Sequence, residues 1–172
     1  MREILFRGKC VDTGNWYEGQ YIHLHKTTYC FAGSAQRDAE NEIHQIVFEQ
    51  MTDWNLPNRH LRVDVIPGTV GQYTGLTDKN GKRIFEGDII RYTRTNMNCP
   101  EASFHKKDLV SFHLVLWDSS VSAFVQQHYT FTEKRLIGKG SAVLYDERAE
   151  ENIIEVIGNI HDDPELLKGD DV

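Results

Sequence analysis

The sequence predicts a mainly β fold made of small, bent barrels and hairpins, with a few short helices including one at the C-terminus. Three observations predict it. Short runs rich in β-branched and aromatic residues recur along the 172 residues, each bounded by Gly, Pro, Asn, Asp or Ser. The stretch TVGQYTGLTDKNGKRIFEGDII, residues 69–90, sets Gly71, Gly75, Gly81 and Gly87 among short apolar segments, and the corners of a small barrel need glycine. No internal repeat or low-complexity tract offers another architecture.

The elements follow in order. EILFRGKCV is a β-prone run, DTGN is turn chemistry, and WYEGQYIHL returns as the second arm of a hairpin. HKTTYCFAGSAQRDAENE has no regular pattern beyond a Gly-Ser turn and room for one helical turn. In IHQIVFEQM, the side chains of Ile43, Ile46, Val47 and Phe48 favour strand over helix. LRVDVI alternates Leu61, Val63 and Val65 with Arg62 and Asp64, as a half-buried strand does, and Pro67-Gly68 ends it.

DKNGK is a hairpin turn in either of two ways. Asn80-Gly81 is the central pair of a type I′ turn, or Asp78 starts a type I turn with Gly81 left-handed as a bulge. RIFEGDIIRY is the outgoing arm, bent at Glu86-Gly87-Asp88. LVSFHLVLW and AFVQQHYTF flank DSSVS as a second hairpin, the following segment is a mixed connector, and IIEVIGNI is a further strand. HDDPELL opens the terminal helix, with Asp163 at the N-cap, Pro164 at N1 and Glu165 in the first turn.

Composition bounds the function. Forty per cent hydrophobic and ten per cent aromatic residues indicate a folded globule. Cys10, Cys30 and Cys99 form no disulfide framework and read as reduced thiols. MREILFRGKC has no apolar signal-peptide core, and no apolar run approaches the roughly 18 residues of a membrane span. A cytoplasmic protein without membrane contact is therefore expected. The net charge of −7 is concentrated at the end: residues 145–172 hold ten acids against two bases, a solvated acidic tail. Residues 79–107 hold seven bases against three acids, thinner than a phosphate-tracking stripe.

Chemistry-bearing motifs are sparse. The glycine-rich stretch lacks the Gly-Lys-Ser/Thr ending and strand-to-helix setting of a phosphate loop, so Gly71, Gly75, Asn80, Gly81 and Gly87 read as structural turn residues. HLHKTTYC offers His23, His25 and Cys30 as the best metal candidate, since histidines two apart on a strand share a face. His105 and His113 are distant in sequence and supply no second pair. Glu86 and Asp88 have a spacing usable for acid–base work, but Glu-Gly-Asp at a corner reads as a turn. Trp16, Tyr17, Tyr21 and Tyr73 suit core packing better than base stacking, with no basic groove beside them. No nucleophile elbow or triad stands out. No catalytic residue, metal or cofactor is expected.

Three segments together, ILFRGK with the following G-x-W and G-x-Y spacing, TVGQYTGLTDKNGKRIFEGDII, and IEVIGNIHDDPELL, resemble the YopX family of bacteriophage and prophage proteins. The resemblance spans both ends and the centre and is weakest over residues 24–60 and 93–108. It implies a β-rich fold whose C-terminal part is an SH3-type barrel, and an origin in a phage or prophage within a bacterial cytoplasm. It implies no activity and supplies no catalytic residue. The resulting division is an N-terminal β portion with a variable insert, 1–66, and an SH3-like portion, 67–172, or one integrated domain.

The function expected is that of a non-catalytic interaction module: an accessory protein that binds a host or phage protein, or itself. An exposed aromatic patch at Trp54, Tyr73 or Phe85 would mark its surface. The alternative is nucleic-acid binding through Arg83, Arg91, Arg94, Lys106 and Lys107, which the overall acidity opposes.

Overall fold

The computed structural model describes residues 3–26, 41–94, 109–129, 141–143 and 152–167. Its chain divides into two compact units, Met1–Tyr73 and Thr74–Val172. Among the described residues the fold is mainly β, with antiparallel pairing throughout.

In the first unit, β1 (Phe6–Lys9), β2 (Trp16–His25), β3 (Glu42–Gln50) and β4 (Arg59–Asp64) pair in the order β4-β3-β2-β1. The turn between β1 and β2 is closed by Cys10, whose N–H donates to Asn15 O. On the other side of β1, Phe6 and Arg7 pair with Gln72 and Gly71, the first residues of β5 (Gly71–Thr77). Before it, Pro67–Thr69 form a 3₁₀ turn, and the Thr69 hydroxyl accepts the Lys9 N–H at 3.0 Å. Ile46, Val65, Cys10 and Tyr73 are buried. Around them the rings of Phe6 and Tyr21 lie 5.5 Å apart and those of Tyr17 and Phe48 5.2 Å apart. Arg7 stacks over Trp16. Tyr17 and Tyr21 thus pack against neighbouring rings, Trp16 against Arg7, and Tyr73 is core.

β5 runs on into the second unit, where β6 (Arg83–Phe85) lies beside it. β7 (Asp88–Arg94), β8 (Leu109–Asp118), β9 (Ala123–Tyr129), β10 (Ser141–Val143) and β11 (Asn152–Asn159) form a sheet ordered β10-β9-β8-β7-β11. Four consecutive strands meander, and the last returns beside the first. A bulge at Ile157 shifts the β11–β7 register between Val156 and Gly158, which bends and twists the strand. One apolar cluster joins Ile84, Ile90, Val115, Phe124, Ile154 and Val156, and another gathers Phe112, Leu116, Ile157, Ile160 and Leu166 around Ile89 and Leu114. Each fully buried aliphatic side chain stabilises the fold by roughly 1.5–3 kcal/mol.

The glycine-rich stretch decides between the two turns open in the sequence. The Gly81 N–H donates to Asp78 O at 2.9 Å, and the Asp78 N–H donates to Lys82 O. Gly81 has φ +78°, while Asn80 keeps a negative φ. This is a type I turn followed by a left-handed glycine bulge, so Asn80-Gly81 is not the central pair of a type I′ turn. Gly75 and Gly87 also have positive φ, whereas Gly71 is an ordinary strand residue opposite Arg7.

Glu86 and Asp88 do different jobs. Asp88 is fully buried and its carboxylate accepts the Phe85 N–H at 2.8 Å, which ties the β6–β7 corner. Glu86 accepts the Trp117 N–H at 3.3 Å. Between them Gly87 donates its N–H to Val115 O and accepts the Ile160 N–H.

Two segments differ from the sequence reading. The connector after β9 contains β10, a three-residue edge strand whose composition carries no strand signal of its own. The end of the described chain is a 3₁₀ turn over Pro164–Leu167. There Asp163 points backwards, its carboxylate accepting the Asn159 N–H at 3.1 Å.

Candidate functional site

A concentration of ionisable side chains stands on one face of the β2–β3 pair. Alternation on β2 puts Tyr21, His23 and His25 on a common face. The register sets His44 opposite His23 and Glu42 opposite His25, so four ligand-type residues form two adjacent cross-strand pairs. Such directly opposed side chains start from Cβ atoms about 4.5–5.5 Å apart, close enough for their heads to meet.

They do meet. His44 Nε2 lies 3.0 Å from Glu42 Oε2, and His23 Nε2 lies 3.8 Å from the same oxygen. The rings of His23 and His44 stack with centroids 4.5 Å apart and planes 14° from parallel, and the His25 ring lies 5.7 Å from that of His23. Ligand atoms of His23, Glu42 and His44 all fall within 4.8 Å of one another, so these three could hold one cation. On the far side of His44, its Nδ1 is 2.6 Å from the Tyr21 hydroxyl. The His44 side chain is 12% exposed, Glu42 34% and His23 43%. The cluster is thus anchored at Tyr21 and His44 and open to solvent at His23.

Its electrostatics follow from this packing. The hydrogen bond from His44 holds the Glu42 carboxyl below its usual range, against a smaller opposing effect of desolvation, and His23, His44 and His25 add attraction. Burial, with the negative charge of Glu42, pushes the Tyr21 phenol up, so Tyr21 stays a neutral hydroxyl.

Spacing along one strand selects His23 and His25 and adds Cys30, which lies outside the described residues. It cannot supply Glu42 and His44, which come from the neighbouring strand. Their signal in the sequence is Glu-x-His at the head of a β-branched run, the same alternation as His-x-His. His113 is elsewhere, buried in β8 with Nε2 2.8 Å from the Ser111 hydroxyl, and His105 lies outside the described residues.

A second feature sits at the tip of the β3–β4 hairpin. Trp54 is 95% exposed, with Met51 at 82% and Leu56 at 60%. The tip is ordered by its own hydrogen bonds. Asp53 Oδ1 accepts the Trp54 N–H, Asp53 O accepts the Leu56 N–H, and the Thr52 hydroxyl donates to Pro57 O. Asn55 adopts φ +67°, a conformation Asn tolerates better than most residues. Glu49 flanks the tip, meeting His60 at 3.5 Å and Asn58 at 3.3 Å. Of the three aromatics expected to mark a docking surface only Trp54 is exposed; Tyr73 and Phe85 are buried.

The family model that matches is that of the YopX protein, over residues 5–168. The chain belongs to the YopX family. It is also similar to the crystal structure of protein EF1440 from Enterococcus faecalis, with 23% identity, coverage of 97% of this chain and 99% of that one, and a TM-score of 0.43. No curated protein matches. Among the described residues of this YopX-family chain, no helix is long and apolar enough to cross a membrane.

Proposed function

We propose that this YopX-family chain is a non-catalytic interaction module that docks a protein partner through the tip of its β3–β4 hairpin. The observation that carries the reading is Trp54, almost wholly exposed on a turn whose backbone is already hydrogen-bonded. A large, rigid aromatic presented without further ordering is the residue type that dominates binding energy. Met51 and Leu56 widen the apolar centre, and Glu49, Asn58 and His60 supply the polar rim of a protein interface. The family supports an accessory role in a bacteriophage or prophage, acting in the bacterial cytoplasm on a host or phage protein. The meander of β7 to β10, closed by β11 beside β7 and bent at Ile157, supports an SH3-like C-terminal part.

The nucleic-acid reading has less behind it. Lys79 is 2.8 Å from Glu155, and Arg91 is hydrogen-bonded to the same carboxylate, so two cations of the basic segment are already matched. Arg83 is exposed; the side chain of Arg94, and Lys106 and Lys107, lie outside the described residues.

Tagged wild-type chain and Trp54→Ala are compared in pull-downs from host lysate, with and without nuclease. The expected result is one protein that survives nuclease and moderate salt on the wild type and is lost from the variant. Capture that vanishes with nuclease, or a protein held equally by both forms, would overturn docking through Trp54.

A further inference from the structure

We infer that the His23–Glu42–His44 face of the β2–β3 pair is a binding site for a divalent transition-metal cation of the zinc type. Nothing in the interaction reading requires it, and it rests on different residues.

The donor set is the first argument. Two imidazoles and one carboxylate are ligands that borderline cations such as Zn²⁺ take, and three protein ligands leave a position open for water or a fourth group. The separations are the second. Ligand atoms about 2.0–2.1 Å from a tetrahedral ion stand roughly 3.3 Å from one another. The two contacts to Glu42 Oε2, 3.0 and 3.8 Å, bracket that value. The His23 and His44 rings are stacked 14° from parallel, so the half-exposed His23 ring would turn out of that stack to aim its in-plane lone pair at an ion held by His44 and Glu42.

The surroundings are the third. A metal-bound histidine ordinarily donates its other ring N–H to an oxygen that fixes its tautomer and orientation. Tyr21 stands at that place, its hydroxyl 2.6 Å from His44 Nδ1. With the proton on Nδ1 and donated to Tyr21, His44 Nε2 would have its lone pair free for an ion, in place of the hydrogen bond it shares with Glu42 at 3.0 Å. Tyr21 is itself held against Phe6. His25, directly opposite Glu42, has its ring 5.7 Å from that of His23, next to the three. A merely solvated charge cluster gives no reason for four ligand-type residues in two facing pairs with a hydroxyl behind the most buried one.

The test is Zn²⁺ titration of the full-length, chelator-treated chain by calorimetry, with Co²⁺ absorption as a second readout. One equivalent should bind. His44→Ala and Glu42→Gln should each weaken binding tenfold or more, Tyr21→Phe should weaken it less, and His60→Ala on β4 should leave it unchanged. Co²⁺ should give visible bands that are altered in His23→Ala, and far-UV circular dichroism checks that each variant is folded. Absence of stoichiometric binding would overturn the site. So would folded His44→Ala and Glu42→Gln that bind as the wild type does, or binding abolished by Cys30→Ser and untouched by His23→Ala.

Discussion

The carboxylate of Asp78 accepts the backbone N–H of Val156 at 3.2 Å, joining a turn residue to a strand 78 positions later. The same side chain accepts the N–H groups of Asn80 at 2.8 Å and Lys82 at 2.9 Å. One buried side chain thus closes the turn between β5 and β6 and holds β11 beside it, and the Lys79 N–H adds a bond to Ile154 O. Asp78→Asn keeps an oxygen for Asn80 and Lys82 but turns an NH₂ group toward the Val156 N–H. One buried donor is left unsatisfied, which costs about 1–3 kcal/mol. Urea denaturation of the second unit should show that loss, and Asp78→Ala a larger one. An unchanged midpoint in Asp78→Asn would remove Asp78 from the framework.

Acid should dissect the same group. Burial alone would raise the Asp78 pKa, but the amide donors of Lys82, Val156 and Asn80 together hold it below the usual aspartate range. A carboxyl with a depressed folded pKa stabilises fully above its unfolded value of about 3.9, and that contribution is lost as pH falls through the lower folded value. The wild-type stability should therefore drop below about pH 4 more steeply than that of Asp78→Asn. Thermal melts of both proteins from neutral pH to pH 2.5 measure the difference. Parallel curves would mean that other carboxylates carry the acid response.

The architecture of these strands is largely local in origin, and so it was legible. Alternation in LRVDV, the β-branched run in IHQIVF and the turn chemistry of DKNGK each act within a few residues. Where local chemistry left two turns open, the backbone settled the matter: the Gly81 N–H returns to Asp78 O, and of the Asn80-Gly81 pair only Gly81 has a positive φ. The candidate site was half legible. His23 and His25 lie on one strand, but their partners Glu42 and His44 arrive through the β2–β3 register, which no local pattern in the sequence between the two strands specifies. The exposures of Trp54, Tyr73 and Phe85 were likewise undetermined, since an aromatic residue has the same local preference for strand surroundings in a core and on a hairpin tip.

Gly19 should be irreplaceable for a reason unrelated to turns. A Cβ placed there would stand 2.1 Å from Val47 O and 2.8 Å from Val47 C, and a backbone carbonyl in a strand pair cannot step aside alone. Gly19→Ala should separate β2 from β3 locally and destabilise the first unit by about 3 kcal/mol, the upper range for overpacking. Gly68→Ala, with nothing within 4 Å of the new Cβ, should stay within about 0.5 kcal/mol of wild type. Hydrogen exchange at the β2 and β3 amides reports the first unit separately. Slow exchange retained in Gly19→Ala would contradict this packing.

Trp54 and Phe85 set one residue class in opposite surroundings, and their alanine variants should diverge accordingly. Phe85 is 1% exposed at the β6–β7 corner, so Phe85→Ala removes a core ring and should lower stability by about 3–5 kcal/mol. Trp54 at 95% exposed has almost no protein surface to lose, so Trp54→Ala should leave the urea midpoint within about 0.5 kcal/mol of wild type. The same variant should weaken the partner complex a hundredfold or more, a loss of about 2.7 kcal/mol of the kind a central aromatic anchor gives. Equilibrium denaturation and binding to the captured partner, run on the same preparations, separate the two effects. A Trp54→Ala chain as destabilised as Phe85→Ala would mean that the indole packs within the fold, and the tip could then no longer serve as the docking surface.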